Sequence, residues 1–443
     1  MKKNKQSLLE DYGSKPVPEG KGKNWFQIGI IYWGSAICLP AFLIAGIIAG
    51  PAKLSTAIGA FIVGAVVLGA IAILIGVLGA QTRLSTGMSA RFTFGKYGAN
   101  VLQILLFLGL WGWFGVQLGF MVAGLGDGGL SFALGGAVPV WLLKVLGGIL
   151  MTLTAMFGFK SIEKLSMVAI PLLLVIIIAT IATLYSGEQS LAVVAAQSTD
   201  AAMPIGIAIS IVIGTYIVGA LIAPDITRYA KSKSAGGFGM VFGMLIGFPV
   251  VLILGAIMVK GAGGEMDFSK VMLMNNSGFW AFLAVVAIIL AAWTTNDNNL
   301  YSGALSINAM FPKLNKWVIT VASGAIGTIL ALLGINTAAG FQTFLGIVAI
   351  LIPPAASIMI LDYYLFKGKV NCYFDSDKIE ESANFRALPF VAWIAGSAFG
   401  FIVQYTAVKL TGITALDTII IAGVVFTAIM LIARKTSKEK TTA

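Results

Sequence analysis

Between positions 56 and 80 the chain carries no charged side chain. A stretch of that length exceeds the roughly 20 apolar residues that an α-helix needs to cross a bilayer. Comparable stretches recur along all 443 residues, of which 58% are hydrophobic and 11% charged, for a mean hydropathy of +0.95. No soluble core requires so much apolar sequence. A membrane β-barrel would alternate polar and apolar residues in short segments. The fold class expected is therefore an all-α polytopic membrane protein.

Twelve spans are expected, at about 26–50, 56–80, 98–124, 138–158, 165–186, 203–225, 236–260, 277–310, 317–334, 338–365, 387–409 and 413–433. The loops are short, so no sizeable soluble domain is expected. With the N-terminus placed inside, 24 of the 29 Lys and Arg residues fall on cytoplasmic segments. Only Lys53, Lys260, Lys270 and Lys409 fall outside, and Lys144 lies within a span. This asymmetry supports an even number of spans with both termini cytoplasmic, in the plasma membrane. It also accounts for the net charge of +11 without a nucleic-acid partner. The first 24 residues are polar and the first apolar run is long, so no cleavable signal is expected.

Histidine is absent, which removes His-based triads, general bases and His-ligated metals. Cys38, inside the first span, and Cys372, in a late loop, indicate neither a disulfide framework nor a thiolate metal site. One isolated deep acid and no deep cysteine pair argue against an intramembrane enzyme, and no cofactor is expected.

Two spans are interrupted. The first reads Ile31-Tyr32-Trp33-Gly34-Ser35-Ala36, and the sixth reads Gly214-Thr215-Tyr216-Ile217-Val218-Gly219-Ala220 before Pro224-Asp225. They are five spans apart, an odd number, so units of five run in opposite senses. Trp113 in span 3 and Trp293 in span 8 keep the same offset. This pattern fits an inverted repeat whose first helices break at the midplane, with residues 26–186 and 203–365 as the two repeats. Residues 387–433 then supply two further helices between cytoplasmic tails at 1–25 and 434–443. Close helix packing is the alternative role for such glycines. A channel would favour symmetric pore-lining rings over unlike paired breaks.

Span 8 holds the run Trp293-Thr294-Thr295-Asn296-Asp297-Asn298-Asn299. Polar groups surround the helix for a full turn there, so it must be enclosed by protein. Ala291, Thr294, Thr295 and Asn298 share one face, while Asp297 shares the side of Trp293. Adjacent Thr hydroxyls with carbonyls freed by a neighbouring break would cage a hard cation such as Na⁺. Bonding back to their own helix carbonyls is the alternative for these hydroxyls. Asp297 has no obvious cationic partner; its open roles are a protonated acid, a proton-coupling group or an inter-helix clamp. Asp225 and Arg228, one turn apart near the cytoplasmic end of span 6, read as a structural pair or gate.

In span 3, Trp113 and Gln117 share a face one turn apart. A Trp face stacks on flat heterocycles, and a primary amide offers both donor and acceptor to a ring edge. Tyr216 at the sixth-span interruption would supply the opposing face. Any one such aromatic is ordinarily packing, but the set describes a slot for a small, planar, uncharged solute.

The chain resembles the nucleobase:cation symporter-1 family, particularly its cytosine and purine–cytosine permeases. The resemblance rests on Gly112-Trp113-Phe114-Gly115-Val116-Gln117, Pro224-Asp225-Ile226-Thr227-Arg228-Tyr229 and Trp293-Thr294-Thr295-Asn296-Asp297-Asn298, with Pro16-Val17-Pro18 and Arg91-Phe92-Thr93-Phe94-Gly95 beside them. It implies a LeuT-like fold of two inverted five-helix repeats, broken helices 1 and 6, and uptake of a nucleobase by alternating access, driven by Na⁺ or, in some members, H⁺. It further implies that Trp113 and Tyr216 sandwich the ring, that Gln117 and Asn296 bond its edge, and that Thr215 and Asp297 lie nearby. The cation would take carbonyls of Gly29, Tyr32 and Ala291 and the hydroxyls of Thr294 and Thr295. Leu110 stands where the cytosine permeases carry Gln, Gln117 where they carry Gly, and Tyr216 where they carry Phe. Gln117 is closer to the hydantoin and allantoin members, so the solutes implied run from cytosine and purines to hydantoin, allantoin and vitamin-precursor pyrimidines.

Overall fold

In hydrocarbon every backbone N–H and C=O must be satisfied within the protein, which leaves the helix as the default for these apolar runs. A computed structural model of the protein describes residues 15–18, 22–124, 126, 128–157, 159–187, 190–367, 383–406 and 408–442. Cys372 and the basic residues Lys2, Lys3, Lys5, Lys21, Lys369 and Lys378 lie outside the described residues.

The helices are α1 (Trp25–Ala36), α2 (Leu39–Ala49), α3 (Leu54–Thr82), α4 (Thr86–Phe94), α5 (Gly98–Ala123), α6 (Gly129–Ala133), α7 (Val140–Ala155), α8 (Phe159–Leu184) and α9 (Leu191–Ala196). They continue as α10 (Ile205–Leu221), α11 (Ala223–Thr227), α12 (Lys233–Gly261, with a π segment at Val241–Gly247), α13 (Phe268–Met274) and α14 (Gly278–Met310). The last are α15 (Lys316–Leu332), α16 (Ala338–Leu361), α17 (Ala387–Tyr405) and α18 (Thr414–Thr442). Among the described residues eight helices are long and apolar enough to cross a membrane, and the bent pair α1–α2 makes a ninth if it is one span. Three shorter apolar helices, α7, α10 and α15, fall on other expected spans. Among the described residues the only β-type pairing is an isolated parallel bridge between Lys23 and Ala230.

Local signals set the helix starts. Asn24 caps α1 in a reciprocal box with Gln27, and Ser85 and Thr337 cap α4 and α16. Large apolar side chains such as Val66, Val168, Ile178 and Ile394 are exposed on the outer surface. Along α14, by contrast, every residue from Thr294 to Ser306 is buried. The polar run of α14 is thus enclosed within an otherwise apolar buried core.

The interruptions fall later than the glycine-rich runs suggest. The first span stays helical through Ala36 and turns by 62° over Ile37 and Cys38. The sixth stays helical through Leu221, pauses at Ile222 and restarts at Ala223. In both, a proline (Pro40, Pro224) occupies the first turn of the new helix. Proline lacks an N–H and disfavours helical geometry in the residue before it, so it fixes the break, while glycine flanked by tight packing remains helical.

Candidate functional site

At the first break, Ile37 N–H bonds the Trp33 carbonyl and Cys38 N–H bonds that of Ala36. The Gly34 and Ser35 carbonyls thereby lose their usual donors and turn towards α14. The Thr294 hydroxyl lies 3.1 Å from Gly34 O and 2.9 Å from Leu290 O of its own helix. The Thr295 hydroxyl lies 3.3 Å from Ser35 O and 3.2 Å from Ala291 O. Each hydroxyl has one proton, so it cannot serve both of its carbonyls at once. The result is a cluster of oxygens with surplus lone pairs, the donor set a hard monovalent cation accepts.

Of the expected cation ligands, Ala291, Thr294 and Thr295 converge here. The Tyr32 carbonyl is directed to Tyr216 and Ser35, accepting from the Ser35 hydroxyl at 3.1 Å and the Tyr216 hydroxyl at 3.4 Å. Gly29 lies elsewhere, against the π segment of α12. A Cβ built on Gly243 would sit 2.6 Å from Gly29 O, so only glycine admits this approach. The carbonyls presented to the threonine pair are those of Gly34 and Ser35, one turn or more further along, because the break falls at Ile37 and Cys38.

Beside this cluster is a cavity between α5, α10, α14 and the break. It holds about 380 Å³ of non-atom space, but only about 20 Å³ is open to the centres of water-sized molecules. That is room for a water, and a ring would require its walls to part. Trp113 and Leu110 line one wall and Thr215 and Tyr216 another. Phe344 and Phe341 meet Trp113 edge-on at 5.3 and 6.0 Å, which fixes its ring orientation. Tyr216 packs on Phe248 at 5.3 Å and hydrogen-bonds the Ser35 hydroxyl. The Thr215 hydroxyl bonds back to Ile211 O.

Gln117 reaches the same cavity fully buried, with neither amide atom hydrogen-bonded, although the Cys38 thiol lies beside it. A buried amide whose capacity the protein leaves unused is costly; Gln103 is buried in the same way, but of the two only Gln117 lines the cavity.

Of the two residues expected to face the solute, Asp297 is placed on the opposite side of α14, while Asn296 lies on the flank of the cavity face, its Oδ1 accepting from the cavity-lining Asn299 amide at 3.3 Å. The Asn296 amide donates to Phe114 O of α5 and to Met151 Sδ of α7, both at 3.2 Å. Thr154 of α7 donates to Asp297 Oδ1 at 2.7 Å and accepts from Trp293 Nε1 at 2.7 Å. Asn298 and Asn299 line the cavity instead, together with Ser35 and Cys38. The reason is helical phase: one residue turns the helix by about 100°, so the cavity face continues from Thr295 to positions three and four further on. That spacing was available in the sequence.

Below the cavity, Ile222 gives way to Asp225 and then Arg228, both buried. Asp225 Oδ1 accepts from Thr86 N at 2.8 Å, and Arg228 donates to the Tyr301 hydroxyl at 2.9 Å and that of Tyr229 at 3.2 Å. Arg228 and Tyr229 also line a second hollow, with about 1130 Å³ of non-atom space, together with Val17, Arg83 and Lys231. This polar plug separates the two spaces.

A bundle of apolar helices enclosing a half-polar cavity at a helix break defines an integral-membrane permease. A family profile described as permease for cytosine/purines, uracil, thiamine, allantoin matches residues 16–428, and the chain belongs to that family. The cytosine permease of Escherichia coli (strain K12) is 28% identical over 359 residues, covering 80% of this chain and 81% of its own. The hydantoin permease of Microbacterium maritypicum is 25% identical over 374 residues, covering 78% and 73%. Among solved structures, the nucleobase-cation-symport-1 family transporter Mhp1, closed with bromovinylhydantoin bound, aligns with a TM-score of 0.81 at 21% identity over 97% of this chain and 96% of that one. A Na⁺-coupled sialic acid symporter aligns at 0.72 and 12% identity over 96% and 92%. These two share its fold. The protein is a transporter and not an enzyme.

Proposed function

We propose that this permease imports a flat, uncharged nucleobase or a related ring such as hydantoin, together with Na⁺, by alternating access across the cytoplasmic membrane. The observation that carries the reading is the buried, unpartnered Gln117 amide in a cavity walled by Trp113 and Tyr216. The oxygen cluster of Thr294, Thr295, Ala291, Gly34 and Ser35 adjoins that cavity and supports the cation. In this reading α7, α10 and α15 also cross, giving twelve spans with both ends cytoplasmic. The two proline-set breaks head inverted repeats, and the bundle containing them rocks against the rest. Asn298 and Asn299 replace Asn296 as edge-binding amides, and Asp297 clamps α14 to α7.

The test is a thermal-shift panel of cytosine, uracil, purines, hydantoin and allantoin on the purified protein, with and without Na⁺. A ligand at a hundred times its Kd stabilises the folded state by about 2.7 kcal/mol. Coupling requires the solute shift to grow with Na⁺ and the Na⁺ shift to grow with solute. Stabilisation by solute that is indifferent to Na⁺, but changes with pH, would replace Na⁺ with H⁺. No stabilisation by any ring compound would overturn the reading.

A further inference from the structure

Between Val241 and Gly247, α12 leaves α-helical geometry and widens to turns closed by i→i+5 bonds. Gly239, just before this segment, and Gly243 and Gly247 within it all lie against α1. A Cβ built on Gly239 would stand 2.6 Å from Ile28 Cγ2, one on Gly243 2.5 Å from Tyr32 Cβ, and one on Gly247 2.8 Å from Trp33 Cγ. At about 100° per residue, an unbroken α-helix would leave Gly247 about 80° out of line with Gly239. The wider turns take up that difference and keep one glycine seam on α1. They also set the phase of the residue that follows. Phe248 is 1% exposed and packs on the Tyr216 ring, at 5.3 Å between centroids and 30° between planes.

Phe248 stands behind Tyr216, outside the slot: Tyr216 lines the solute cavity and Phe248 does not. The Tyr216 side chain is thereby held at two points. Its hydroxyl is tied to Ser35 at the first break, and its ring rests on Phe248. Gly219, one turn on in α10, leaves the ring room beside its own helix, since a Cβ there would lie 2.9 Å from Tyr216 Cε2. A ring anchored only at its hydroxyl and its own backbone can still turn its plane about the axis between them. Such a ring loses conformational entropy when a flat solute stacks on it. A second aromatic packed behind it removes that freedom in advance. Resting on the proposed stacking of a planar solute on Tyr216, we infer that Phe248, brought into phase by the π segment of α12, is a positioning residue for solute binding. It touches no solute and acts by holding the Tyr216 ring across the slot.

The experiment uses the full-length protein. Thermal shift first records which of cytosine, uracil and hydantoin stabilises the wild type, and uptake of that compound in labelled form is then measured for each variant, normalised to surface expression. Phe248→Leu keeps an apolar side chain and removes the ring plane. It should raise KM about fivefold and leave Vmax within about twofold of wild type, the range that one aromatic pair supports. In a Tyr216→Phe background the ring has already lost its hydroxyl tie, so the same change should raise KM about fifteenfold, a coupling that independent sites do not show. Phe248→Met is carried in parallel and held to the same ratios if Phe248→Leu fails to reach the membrane. A lower melting temperature with unchanged KM overturns the inference and leaves Phe248 a packing residue. An equal cost in both backgrounds also overturns it, because Phe248 would then act outside the Tyr216 ring. If no ring compound stabilises the wild type, the transport reading and this inference fall together; if one does, the variant ratios decide the role of Phe248 alone.

Discussion

Glu163, at the start of α8, holds the segment before α1 in place. Its carboxylate accepts from Lys23 Nζ at 2.6 Å and from Gln27 Nε2 at 2.9 Å. Lys23 is also tied by its backbone, donating to Tyr229 O at 2.6 Å and accepting from Lys231 N at 2.8 Å. One carboxylate thus anchors a strap across the rim of the second hollow. The Glu163 side chain is only 6% exposed and that of Lys23 26%, so the pair is neither a surface ion pair nor a fully buried one. At an effective dielectric of about 20, two unit charges about 4 Å apart attract by about 4 kcal/mol. Desolvation and the partial exposure of Lys23 offset about half of that, in line with the net worth of hydrogen bonds to charged groups, about 1.5–3 kcal/mol. A loss of about 2 kcal/mol in Glu163→Ala raises the open population of the strap about thirtyfold. The assay is hydrogen–deuterium exchange of peptides covering positions 23–31 and 229–232, where Glu163→Ala should exchange about 10–30-fold faster in the fast-closing regime. Glu163→Gln should fall between, because its amide still accepts one bond. Lys23→Ala combined with Glu163→Ala should cost little more than either change alone. Exchange within twofold of wild type in Glu163→Ala would refute the reasoning.

Trp113→Ala should abolish uptake of labelled solute while surface expression persists, whereas Trp113→Phe should retain uptake with a raised KM, since base stacking is worth about 1–3 kcal/mol. Unchanged uptake in Trp113→Ala removes the stacking role. Thr295→Ala should weaken the sodium dependence of uptake, and an unaltered sodium titration counts against the oxygen cluster. Gly112→Ala places a Cβ 2.5 Å from Phe344 Cε2, and Phe344 packs on Trp113. Overpacking of this kind costs about 1–3 kcal/mol, so a lower melting temperature and a raised KM should appear together; a rise in KM without destabilisation would refute the packing account.

The eight long helices and the bent first pair were legible because an apolar run of about 20 residues is long enough to cross a bilayer, whatever the side chains do in detail. The breaks were legible only in part. Glycine drew attention to Gly34 and to Gly214–Gly219, while Pro40 and Pro224 decide where the backbone turns. Because the first break falls later than its glycine, the carbonyls that meet the threonine pair are those of Gly34 and Ser35 and not that of Gly29. Polarity located the α14 cluster, but phase had to be taken from one anchor. Anchoring on Trp293 and Asp297 gives the face that meets Thr154, and anchoring on Thr295 gives the cavity face of Asn298 and Asn299. Cys38 had no periodic signal at all, since a residue at a break belongs to neither helix's repeat.

The proposed coupling of ion and solute has a physical basis in two residues that belong to both sites. Ser35 gives its carbonyl to the Thr295 hydroxyl and shares its own hydroxyl with Tyr216. Thr295 faces Ser35 and Ala291 on one side and lines the solute cavity on the other. A cation drawn between Ser35 O and the threonine hydroxyls would fix the end of α1 against α14. That same constraint sets the Ser35 hydroxyl, and through it the Tyr216 ring that would cover the solute. A solute seated between Trp113 and Tyr216 would in turn hold Ser35 where its carbonyl meets the ion. Under the proposed coupling neither ligand would need to touch the other, because each would order a residue the other requires, and linkage would make the two effects equal in free energy. Asn296 and Asp297, bonded to α5 and α7, would hold the orientation of α14 under that proposal.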